Sequence, residues 1–164
     1  MHTLAQIAET FARLDAIAPE DRAAYEKGLR NLAQRNHLPP ADVSGRVFLY
    51  DDAGAASIRM VQIAHGFGIG RMAVEVLTQF LAGHRQEIMG RAQGGESFTV
   101  AVCMGTDGRF RALSDWSRPA ADDAGRERRQ RAAQMAGRAH APEIARFTLP
   151  ASEIARDVLA ALKG

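Results

Sequence analysis

The chain has 164 residues, room for one ordinary domain or two small ones, which excludes a large multidomain enzyme. Its apolar fraction of 46% and charged fraction of 24% match globular averages and exclude a disordered chain, while only 6% aromatic residues leave the core to Ala, Val, Leu, Ile and Met. Twenty-one basic and nineteen acidic side chains give a net charge of +2, which permits an anionic partner without demanding one.

Residues 1 to 84 carry eight basic and nine acidic groups, so the modest positive excess lies in residues 85 to 164. Lys27 and Lys163 are the only lysines; nearly all the positive charge is guanidinium, suited to bidentate phosphate or carboxylate contacts. Cys103 stands alone, which excludes an internal disulfide and a cysteine zinc site. Glu9 and Asp15 interrupt the first apolar stretch, and no basic segment precedes it, against a signal peptide. Arg59, His65, Arg71 and Glu75 break the most apolar stretch, residues 53 to 83, so a membrane span is not expected and the cytoplasm is.

Leu4, Ile7, Ala8, Phe11 and Leu14 recur at helical spacing and predict an amphipathic helix over residues 3 to 16. Pro19, with Glu20 and Asp21 behind it, opens a second helix whose stripe of Tyr25, Leu29 and Leu32 ends near Asn36. His37-Leu38-Pro39-Pro40 stops it, and Arg46-Val47-Phe48-Leu49-Tyr50 reads as a short strand after the Ser44-Gly45 turn. Asp51 and Asp52 cap a third helix, Gly66-Phe67-Gly68 interrupts it, and a fourth runs to about Gly83. Past a boundary near Gly90 to Gly95, the segments 98 to 102 and 109 to 113 flank an Asp107-Gly108 turn as a β-hairpin. A charged helix over 120 to 139, an extended piece over 146 to 149, and a last helix with Ser152 as N-cap complete the chain.

Three motifs in residues 3 to 83 go together. His37-Leu38-Pro39-Pro40 is similar to a Leu-Leu-x-Pro approach to a wing, Leu49-Tyr50-Asp51-Asp52 to an Arg-x-Tyr-Asp exit, and Gly66-Phe67-Gly68-Ile69 to a Gly-Phe-Ser-Leu helix junction. Together they resemble the winged helix-turn-helix domain of MerR-like transcription regulators, across about half of the chain. The resemblance implies a winged helix-turn-helix over 1 to 84 and sequence-specific binding of double-stranded DNA to regulate transcription. With the β-hairpin and helices read in residues 85 to 164, a small module for dimerisation or partner binding, the expected architecture is α+β, mainly α; a homodimer is expected because one small reader makes few base contacts and two half-sites multiply specificity.

A DNA reader needs a helix that presents base-reading groups to the major groove and cations that hold phosphates. On the second helix Arg30, Asn31 and Gln34 are the base-edge candidates, because Arg pairs with guanine and Asn or Gln with adenine. Arg22, Lys27, Arg35, Arg46 and Tyr50 are the phosphate candidates. The bland alternative is a solvated helix face.

Nothing in the spacing of the five histidines suits a metal, the Gly66 to Gly70 segment fails the dinucleotide fingerprint, and no nucleophile arrangement is present, so no enzyme and no cofactor is expected. Arg126, Arg128, Arg129 and Arg131 form the densest basic run, suited to a second nucleic-acid contact or to an acidic protein such as RNA polymerase, although Asp122, Asp123 and Glu127 also suit a salt-bridged solvated helix. Two other functions stay open: a non-catalytic adaptor built on a winged-helix scaffold, supported by the near-neutral first half, and a recombination or packaging accessory protein.

Overall fold

Each of the first two helices is set by local chemistry at its start. In the computed structural model, which describes residues 1–116 and 141–164, α1 (Leu4–Leu14) begins with a reciprocal cap. The Gln6 backbone N–H donates to the Thr3 hydroxyl, while the Thr3 N–H donates to the Gln6 side chain. Ile7, Ala8 and Phe11 face inward as expected, but Leu14 is exposed, because the helix ends there and the chain turns away through Ala16 in a left-handed conformation. A single helical turn, Pro19–Asp21, leads into α2 (Arg22–Arg35), which buries Leu29, Leu32 and Ala33.

Three short strands follow a pattern that periodicity alone misses. Before α1 lies β1 (His2–Thr3), and after α2 come β2 (Asp42–Ser44) and β3 (Val47–Tyr50), antiparallel in the order β1-β3-β2. His2 pairs with Tyr50, and Ser44 with Val47 across a two-residue loop. Gly45 takes φ 63° there, the left-handed backbone such a loop needs. Arg46 therefore occupies the hairpin tip, and the strand expected from Arg46 begins one residue later.

Asp51 caps α3 (Asp52–Gly66) by accepting the Gly54 N–H at 2.7 Å. Its second oxygen accepts from Arg85 at 2.6 Å, joining the start of α3 to α4 (Arg71–Gln93). This fourth helix runs ten residues beyond the end expected at Gly83. A single glycine costs a helix only about 1 kcal/mol, and burial of Ile88, Met89 and Ala92 beyond it outweighs that loss. The position between residues 84 and 85 thus falls inside a continuous helix.

Strands β4 (Val100–Gly105) and β5 (Phe110–Ser114) form the hairpin read from the sequence, with Gly108 at φ 72°. On the other side of β4, β6 (Glu143–Leu149) pairs antiparallel and makes the order β5-β4-β6. The last helix, α5 (Ala151–Lys163), packs on α1, α3 and α4. Ser152 is not its cap. The helix begins at Ala151, and the buried Ser152 hydroxyl accepts the Phe98 N–H at 3.1 Å, tying α5 to the chain just ahead of β4.

One cluster of buried side chains runs from Ile7 and Phe11 through Ile58, Leu77 and Leu81 to Leu149 and Val158. The architecture is α+β and mainly helical, with two small antiparallel sheets. Trp116, 8% exposed, belongs to this core and lies against the rings of Phe80, His84 and Phe98. The helix expected over 120 to 139, with Arg126, Arg128, Arg129 and Arg131, lies outside the described residues. Among the described residues no helix is long and apolar enough to cross a membrane.

Candidate nucleic-acid interface

Helix α2 has one buried stripe and one open ridge. Leu29, Leu32 and Ala33 are buried, so Lys27, Arg30, Asn31, Gln34 and Arg35, spaced by three, four, seven and eight residues from the first, must share the opposite face, and all five are exposed. The ridge thus collects five of the eight residues named from the sequence.

A four-member polar network holds this helix against α3. Tyr25 donates to Asp15 at 2.6 Å and accepts from Gln62 at 2.7 Å, while Arg59 of α3 donates to both oxygens of Asp15. The Arg59 guanidinium holds the Asp15 carboxyl below its usual range, and burial together with Asp15 pushes the Tyr25 phenol up to about 12. Arg59 also lies over the Phe11 ring at 5.2 Å. The network makes Arg59 a scaffold residue whose role no local sequence signal marks, since its partner is 44 positions away.

Two grooves flank the ridge. The first, about 630 Å³, lies between α2 and the β2-β3 hairpin; Arg30 and Gln34 line one side and Arg46 the other, over an apolar floor that includes Leu38, Pro39 and Phe48. The second, about 840 Å³, lies between α2 and the α3-α4 corner, with Asn31 and Arg35 facing His65 and Arg71. No carboxylate lines either groove. Among the described residues Lys27, Arg35, Arg46 and Arg71 make no ion pair. Several acids of this half are engaged elsewhere: Glu9 with Arg22 at 2.7 Å, Asp51 with Arg85 at 2.6 Å, and Asp52 with His2 at 2.9 Å. A near-zero net charge therefore coexists with a locally cationic face.

Three of the sequence candidates behave differently from the rest. Arg22 joins α2 to α1 through Glu9 and stands off the ridge. Arg30 is paired with Glu26 one turn back, so it must exchange that partner to reach a ligand. Tyr50 is only 3% exposed; it belongs to the core and the groove floor and is no freely projecting phosphate donor, because it ends β3 where the strand pairs with β1 and meets α3, whereas Val47 and Phe48 lie toward the exposed hairpin tip. Arg71, missed from the sequence, opens α4 after the Gly66 to Gly70 corner, and only the tertiary packing brings it opposite Arg35. Among the described residues no group of three or more metal-ligating side chains converges. Comparison of the chain with protein-family models, with curated proteins and with solved structures gives no match.

Proposed function

We propose that this protein binds double-stranded DNA sequence-specifically and regulates transcription, using residues 1 to 84 as a winged helix-turn-helix. In this reading α2 enters the major groove, Arg30, Asn31 and Gln34 meet base edges, and the β2-β3 hairpin is the wing whose Arg46 rests on the backbone. The observation that carries the reading is the exposed ridge of α2 between two carboxylate-free grooves, with Arg46 across one and Arg71 across the other. A helix in the major groove has a phosphate strand on each side, and cations placed on both flanks suit that geometry. Arg71 thereby joins Lys27, Arg35 and Arg46 as a backbone contact.

The test is an anisotropy titration of the full chain with pooled genomic duplex fragments at two salt concentrations, followed by sequencing of the retained fraction. Enrichment of a defined site, with affinity falling steeply in salt, is the expected result. Absence of binding at low salt refutes it. A second reading, a winged-helix adaptor that captures a partner protein, draws on the apolar floor of the first groove, where Phe48 is 48% exposed. It predicts no DNA binding and loss of partner capture on Phe48→Ser.

A further inference from the structure

We propose that the second groove, between α2 and the α3-α4 corner, binds a small phosphomonoester with an apolar body. Binding of the ester stands without the DNA reading; its consequence, keeping a DNA strand off Arg35 and Arg71, rests on that reading.

The walls of this groove are braced by the protein itself. Tyr25 of α2 and Gln62 of α3 both line it and bond to each other at 2.7 Å, and Asp15 with Arg59 holds the same pair. A site whose walls are already set spends little binding energy on ordering them. Its volume of about 840 Å³ lies within the roughly 300–1,000 Å³ of small-molecule sites.

The lining selects the ligand chemistry. Arg35 comes from α2, His65 from α3 and Arg71 from α4, and no carboxylate joins them. Neither arginine has an ion pair or a side-chain hydrogen bond among the described residues, so both guanidinium forks are free to meet phosphate oxygens. A phosphomonoester carries a charge of about −1.5 to −2 at pH 7, enough for one group to engage two cations. Leu29, Leu32, Ile69 and Val74 make the rest of the lining aliphatic. A phosphodiester strand would lay its sugars over that surface, whereas an apolar ester body removes it from water.

Gly28 adds an independent observation. It sits in the middle of α2, where glycine weakens a helix, and a Cβ there would meet nothing of the protein within 4 Å. No contact inside the fold requires a glycine at this position. It lines the second groove one turn from Asn31 and two from Arg35, so the missing side chain leaves space on the ligand's side.

The test is calorimetric titration of the full chain with phenyl phosphate, inorganic phosphate and phenol. Phenyl phosphate should bind one per chain and about ten-fold tighter than inorganic phosphate, with no binding of phenol alone. Arg35→Gln and Arg71→Gln should each weaken it roughly ten- to a hundred-fold. Gly28→Leu should raise the thermal midpoint yet abolish binding, while Gly90→Leu, at another exposed helical glycine with open space around it, raises the midpoint and leaves binding intact. Phenyl phosphate no tighter than inorganic phosphate, or an affinity unmoved by any one of Arg35→Gln, Arg71→Gln and Gly28→Leu, overturns the proposal. Ester binding in a chain that binds no duplex refutes the DNA reading alone; duplex binding without ester binding refutes this site alone.

Discussion

Asp15 and Arg59 close a two-point contact across 44 positions of chain, each carboxylate oxygen accepting from a different guanidinium nitrogen. Because Tyr25 donates to the same carboxylate, one acid in a turn fixes the angle between α2 and α3.

The pH dependence follows from that contact. Asp15 is held below its ordinary value of 3.8, so its contribution to stability is complete above that value and is lost as pH falls through the depressed folded value. Denaturant unfolding between neutral and strongly acid pH should show this loss in the native chain and a flatter profile in Asp15→Asn. Tyr25 gives the opposite limb. With its phenol at about 12 in the folded protein against 10 unfolded, its contribution is complete below 10 and lost as pH rises toward 12. Ultraviolet titration of tyrosinate should show both tyrosines ionising late, Tyr50 through burial alone, and in Asp15→Asn the Tyr25 step alone should move down, part of the way, because burial still raises it.

Ser152→Ala removes the acceptor for the Phe98 N–H in a buried place and should cost about 1–3 kcal/mol, the penalty of a stranded donor. Hydrogen exchange at the Phe98 amide should accelerate by more than at the amides of α1. An unchanged midpoint in urea would show that the bond contributes nothing.

Residues 1 to 84 expressed alone should not reach the native fold. Ile88, Met89, Ala92, Ile154, Val158 and Leu159 share one buried cluster with Phe11, Ile58 and Leu77, and removing them bares the inner faces of α3 and α4. Circular dichroism and dye binding on the fragment check this; a cooperative melt near that of the full chain would contradict it.

For DNA binding, Arg46→Ala and Arg71→Ala should each weaken all duplexes alike and reduce the slope of log affinity against log salt by about 1. Arg30→Ala should instead relax preference at one base pair, at a cost of about 1–3 kcal/mol on the selected site. Equal effects of all three variants on all sequences would mean that α2 reads no bases.

The helices α1 and α2 were legible in the sequence from apolar spacing, α3 from its Asp51 cap as well, and the Asp107-Gly108 hairpin was legible from its turn chemistry. The end of α4 was not, because Gly83 signals a stop locally while packing further along sustains the helix. Ser152 has the side chain of a cap, yet its hydroxyl serves a donor 54 positions away. β1 is too short for periodicity to reveal and exists only because β3 offers it an edge. Within the candidate site, the α2 ridge followed from helical spacing, whereas the burial of Tyr50 and the approach of Arg71 depend on contacts between elements distant in sequence.

The length of α4 sets the spacing between two parts of the molecule. Its 23 residues form a rod of roughly 35 Å at 1.5 Å per residue. Arg71 stands at one end, and Arg91, near the other, lies 5.2 Å from the Trp116 ring. The cation that lines the second groove and the cation stacked on the indole therefore belong to one ruler, and a one-residue insertion between them would rotate one against the other by about 100° around the helix axis.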